Sequence, residues 1–150
     1  MKRYGRWATV LLVIYSGVMV WLLFGQRLGA LSFADYAERL SHNYNLVPFK
    51  TIAELIALWQ SGRLVTFTVI NFFGNIGMFI PLGLLPCVFP SLRRWVRFLL
   101  CVAAIILVVE LVQFFTLLGV GDIDDLLLNV IGGAIGFALF RLISRNDNNG

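Results

Sequence analysis

Residues 121–136 read GDIDDLLLNVIGGAIG. Three carboxylates, Asp122, Asp124 and Asp125, stand directly before an apolar run long enough to enter a membrane. On a helix, Asp125, Asn129, Gly132 and Gly136 fall at i, i+4, i+7 and i+11, which is one face. That face is acidic at its start, amide one turn in, and bare glycine further down. The acidic end is suited to binding, and the glycine end lets another helix approach closely.

The rest of the 150-residue chain agrees with a membrane setting: 59% of it is hydrophobic and 13% is charged. A soluble domain of this size cannot hide that much apolar surface, so the solvent is lipid. One membrane domain is expected over residues 1–145, with a disordered polar tail at 146–150. The net charge of +4 comes from short basic clusters between apolar runs. That pattern sets membrane topology and argues against a nucleic-acid partner. Cys87 and Cys101 lie in or beside apolar runs and read as free thiols packed as small hydrophobes. No P-loop, zinc-protease or zinc-finger spacing occurs.

These features predict an all-α integral membrane protein with four transmembrane helices and an amphipathic interfacial segment between the first two. A basic head (Lys2, Arg3, Arg6) precedes an uncharged run at 7–24. That run is long for a cleaved signal, and no clear small-residue cleavage site follows, so a retained first helix is expected. Residues 25–63 are too polar to span. Within them Pro48 marks a helix start, Thr51-x-x-Glu54 fits a capping box, and Ile52, Leu55, Ile56 and Trp59 recur at helical spacing. This amphipathic helix either lies in the interface with Trp59 as anchor or packs over the bundle as a lid.

The second span is expected at 64–89, kinked by Pro81 and ended by Pro86 and Pro90, with Gly74 and Gly77 permitting close packing. The third runs from 98 to 118 and carries Glu110 and Gln113 at i, i+3. The fourth begins at Asp122 and ends near Arg141 and Arg145. The head, the loop holding Arg93, Arg94 and Arg97, and the tail are basic, whereas the turn at 119–121 is not. Both termini are therefore expected in the cytoplasm and the aspartates on the extracytoplasmic face.

That topology brings Asn71 and Asn75 of span two, Glu110 and Gln113 of span three, and Asp122, Asp124, Asp125 and Asn129 of span four to similar depth. One polar pocket is expected there, with Asn45 and Lys50 of the first loop nearby, because ionisable groups within spans face the bundle interior or a wet cavity. Plainer roles compete: Asp122 as an N-cap, the aspartates as complements to a helix dipole, and the amides as interhelical glue. His42 reads as a solvated loop residue.

NLVPFKTI at 45–52, GNIGMFIPLGLLP at 74–86, the Glu110-x-x-Gln113 pair and DIDDLLLNVIGGAIG at 122–136 together resemble the VanZ-like family of small bacterial membrane proteins. The resemblance covers roughly the last two thirds of the chain. It implies four helices in a bacterial cytoplasmic membrane and, through the family's namesake, an association with resistance to the glycopeptide teicoplanin. It carries over no catalytic residue. It departs at one point: an arginine common in the family before the aspartates has no counterpart at 114–121.

Three functions fit. The first is binding of a cell-wall precursor lipid or a glycopeptide at the outer face. The second is a metal-assisted enzyme on a lipid-linked phosphate, with Glu110, Asp122 and Asp125 as oxygen ligands suited to Mg²⁺ or Ca²⁺. The third is a scaffold for another membrane protein.

Overall fold

The computed structural model describes residues 2–25, 36–62 and 66–146; the tail residues 147–150 lie outside them. The described chain is almost wholly helical. Helix α1 (Lys2–Val20) continues as a wider π-helical turn over Trp21–Gly25. The first loop contributes α2 (Tyr36–His42), a two-residue strand β1 (Tyr44–Asn45) and α3 (Lys50–Gln60). Then come α4 (Thr66–Phe79), a 3-10 segment (Ile80–Leu84), α5 (Leu85–Val88) and a second 3-10 turn (Pro90–Arg93). The chain closes with α6 (Trp95–Thr116), strand β2 (Gly121–Asp122) and α7 (Ile123–Asn146).

Among the described residues three stretches are long and apolar enough to cross a membrane: Gly5–Gly25, Trp95–Thr116 and Ile123–Arg145. Phe72–Val88 is a shorter apolar helical stretch. The expected second span is thus interrupted. Pro81 has no N–H to return to Gly77, and the chain tightens into the 3-10 segment there. The carbonyl of Met78, one of those orphaned at the end of α4, accepts the Tyr15 hydroxyl of α1 at 2.7 Å. Pro86 does not end the span as expected. It sits buried in the first turn of α5, where no N–H is needed, and Pro90 marks the stop.

Helix α7 packs against α4 and its 3-10 continuation on one side and α6 on the other, and α1 packs on α5 and the 3-10 segment. The α4 contact is backbone on backbone. The carbonyl oxygens of Ile76 and Ile80 lie 2.1 and 2.0 Å from where a Cβ would sit on Gly132 and Gly136. Gly83 faces Gly136 equally closely. The expectation for Gly132 and Gly136 is met. That for Gly74 and Gly77 is not: a Cβ on either would meet nothing within 4 Å, because they point away from α7. Below this crossing Phe79, Leu82, Phe98, Val102, Ile106 and Phe137 form the core, with Phe98 and Phe137 rings 4.6 Å apart. Most of α1 outside this contact is apolar and exposed, as a lipid-facing helix is.

The two ends differ in charge. Gly5 of α1 lies beside the Cys87 carbonyl, and Arg141 of α7 shares a concavity with Arg93, Arg94 and Arg97. Four arginines thus gather at one end, whereas Arg39 and Lys50 belong to the first loop. The first loop and the aspartates occupy the other.

Candidate functional site

The acidic end is built by the first loop folding onto the α6–α7 turn. Helix α6 stops at Thr116, two residues before the expected end, because Leu117 turns left-handed (φ 55°). The last carbonyls of a helix need donors, and the first loop supplies them. The Asn43 amide donates to Gly119 O at 2.6 Å and to Phe114 O at 3.4 Å, and the Tyr36 hydroxyl donates to Phe115 O at 2.6 Å. Tyr44 and Asn45 then pair in parallel with Gly121 and Asp122.

Asp122 is the N-cap of α7. Its Oδ1 accepts the Asp124 N–H at 2.8 Å. The same carboxylate accepts the Asn45 amide at 3.2–3.3 Å and the Thr51 hydroxyl at 2.8 Å.

The Thr51-x-x-Glu54 capping box is not formed. The N-cap position of α3 is Phe49, in the left-handed region (φ 63°) with no side-chain cap of its own. The cap comes instead from α7. Asp124, 0% exposed, accepts the N–H groups of Phe49 (2.6 Å), Thr51 (2.8 Å) and Ile52 (3.4 Å). A remote carboxylate at a helix N-terminus gains both the orphan donors and the dipole, which frees the Thr51 hydroxyl for Asp122. The carboxylate of Asp124 is therefore occupied within the chain.

Asp125 accepts the Asn75 amide from α4 at 2.5 Å. One turn further along α7 lies Asn129, 4% exposed, and α6, which packs on α7, carries Glu110, 8% exposed, and Gln113, also buried. Glu110 lies within interaction range of the Asp125 and Asp122 carboxylates and of the Asp122 main-chain N–H. Two oxygens here, Glu110 Oε2 and Asn129 Oδ1, are buried without a hydrogen-bond partner in the structure. Buried acceptors are ordinarily satisfied, so two from facing helices mark this spot as one that takes donors.

The sequence-expected set therefore divides. Asn45, Asn75, Glu110, Asp122 and Asp125 come together around the α7 N-terminus, and Gln113 and Asn129 are buried on α6 and α7. Asp124 belongs to the α3 cap. Lys50 opens α3 with its side chain exposed, and the Asn71 side chain lies outside the described residues. His42 ends α2 exposed, as expected. Tyr36, Asn43 and Thr51 hold the site together but were not singled out for that role. The only available signal was a polar loop placed opposite a helix end rich in orphan carbonyls. Among the described residues no group of three or more His, Cys, Asp or Glu is disposed to hold a metal ion. Glu110, Asp122 and Asp125, the expected metal set, lie near one another but are not disposed around an ion: Asp122 is turned to its own helix and to Asn45 and Thr51.

The fold and this cluster define a small all-α membrane protein with a buried, acceptor-rich site at the acidic end of its bundle. The chain belongs to the VanZ-like family: the VanZ/LLP1 family model matches residues 10–144. Protein VanZ of Enterococcus faecium is 30% identical over 140 residues, which is 92% of this chain and 76% of that protein. No solved structure matches.

Proposed function

We propose that this protein binds the donor-rich head group of a cell-envelope lipid precursor, or a glycopeptide, at the extracytoplasmic end of its bundle, and that it acts in antibiotic resistance. The unpartnered pair Glu110 Oε2 and Asn129 Oδ1 carries this reading. Carboxylate and amide oxygens select hydroxyl, amide and ammonium donors, which sugar-peptide head groups and glycopeptides both offer. The metal-assisted lipid-phosphate enzyme is the weaker alternative, because it needs a cation between these oxygens and a phosphate and no metal-holding group is disposed among the described residues. Likeness to Protein VanZ, through the teicoplanin association of its family, supports the resistance context.

The reading takes the interrupted α4–α5 stretch as a fourth crossing. Eighteen α-helical and five 3-10 residues (66–88) reach roughly 35 Å, more than a hydrocarbon core. It also takes both termini as cytoplasmic, on the side of the arginine clusters. Helix α3, capped at its N-terminus by Asp124 and with Trp59 71% exposed, then lies in the outer interface. Cysteine labelling tests this topology. On a Cys87- and Cys101-free background, Val120→Cys (53% exposed) should react with a membrane-impermeant thiol reagent in intact cells and Ser91→Cys should not. The reverse pattern overturns the orientation.

The site itself is tested by Glu110→Gln and Asp125→Asn, both near-isosteric. Each should leave the folded, monodisperse protein intact. Each should reduce retention of a co-purified ligand, identified by mass spectrometry, by roughly tenfold or more, the worth of one charged hydrogen bond. In a glycopeptide-sensitive host, any rise in the inhibitory teicoplanin concentration given by the wild type should vanish with either variant. Were Asp125 needed only to orient Asn75, Asp125→Asn would behave as wild type, since the amide oxygen still accepts. Wild-type behaviour in both variants leaves the scaffold role.

A further inference from the structure

At the basic end of the bundle, opposite the site above, lies an open concavity of about 760 Å³. Its rim carries four guanidinium groups. Arg93, Arg94 and Arg97 come from the turn into α6, and Arg141 comes from the last turns of α7. Its wall is aromatic: Trp95 lies edge-to-face on the buried Phe137, with centroids 4.9 Å apart. Nε of Arg93 donates to the Pro86 carbonyl at 3.4 Å, which turns that side chain along the rim. Among the described residues every acid stands toward the other end: Glu38 and Glu54 in the first loop, Glu110 in the far half of α6, and the three aspartates.

Arginines set membrane topology from any position near a span end. Four of them converging from the turn before α6, from α6 and from α7 on one concavity with an apolar wall is more than topology requires. Guanidinium groups bind phosphate oxygens in a bidentate fork, and the ring wall suits glycerol and the first methylenes of an acyl chain. The volume falls in the range of a small-molecule site, larger than a bare ion needs. We propose that this concavity is a binding site for the phosphate head group of an anionic phospholipid in the adjoining leaflet. Basic pockets between membrane helices take such lipids elsewhere.

The test uses the full-length protein in neutral detergent, where topology plays no part. Phosphatidylglycerol should form a one-to-one adduct in native mass spectrometry and raise the melting temperature. Phosphatidylcholine should do neither. Inorganic phosphate at the same concentration should not reproduce the shift; if it does, the site takes a free anion and the lipid assignment fails. Arg97→Gln combined with Arg141→Gln should weaken the phosphatidylglycerol adduct about thirtyfold, from the usual worth of two basic residues near a charged lipid surface. Arg6→Gln combined with Arg145→Gln removes the same charge without touching the lining and should bind as wild type. Equal loss in both double variants means diffuse attraction and overturns the site, as does retention in the first. Arg97→Lys with Arg141→Lys guards against misfolding: it keeps the charge and should still lose most of the adduct through the missing fork.

Discussion

Gly136→Leu should prevent the bundle from assembling, and Gly136→Ala should already destabilise it by more than the usual 1–3 kcal/mol or so of an overpacked core. The reason is what stands opposite. A Cβ on Gly136 would sit 2.0 Å from the Ile80 carbonyl oxygen and 3.0 Å from Gly83 N, both backbone atoms. A side chain can turn aside, but this backbone is held by the Pro81 3-10 segment and by α7 itself. Relief would need α4 and α7 to separate, which would open the core around Phe79, Leu82 and Phe137. Gly132→Ala should behave alike, because the Ile76 carbonyl oxygen lies 2.1 Å from its Cβ position. Gly74→Ala and Gly77→Ala are the controls. Each is helical with open space, so each should be neutral or stabilising by about 0.5–1 kcal/mol through helix propensity. Thermal unfolding in detergent measures all four. Equal melting temperatures for Gly136→Ala and Gly74→Ala would deny the close crossing.

Asp124→Ala should release the start of α3 while leaving the helical bundle folded. Three N–H groups at the start of α3 depend on this one carboxylate. Each such charge-assisted bond contributes about 1.5–3 kcal/mol. Without them, the left-handed backbone at Phe49, which itself costs about 1–3 kcal/mol, loses the strongest bonds that offset it. Hydrogen exchange should show lost protection at Phe49, Thr51 and Ile52 and unchanged protection in α6 and α7. Asp124→Asn keeps one acceptor oxygen and turns a donor toward an N–H, so its loss should be intermediate. Unchanged exchange in both variants would mean that α3 is held by its apolar face and not by its cap. Because Thr51 and Asn45 also reach Asp122, release of the start of α3 should disturb the neighbouring acidic site.

The membrane setting, the helical class and three long spans were legible in the sequence, because lipid demands unbroken apolar runs of a fixed length. So was the glycine face of α7, because 3.6-residue periodicity alone puts Gly132 and Gly136 in line with Asp125 and Asn129. The N-cap role of Asp122 was legible too, being local. Which glycines matter in α4, however, could not be read there. Gly74 and Gly77 look like packing residues, but the rotation of α4 against α7 puts carbonyls of Ile76 and Ile80 at the crossing and leaves those glycines outside it. The division of labour among the aspartates was equally out of reach. Three carboxylates within four residues look interchangeable in a string of letters. The tertiary structure assigns Asp122 to its own helix, Asp124 to the start of α3 and Asp125 to Asn75. A capping box is read within one helix, and here the competing cap arrives from more than seventy residues away. Periodicity fixes which face of a helix a residue is on; only the packing of one helix against another decides what that face meets.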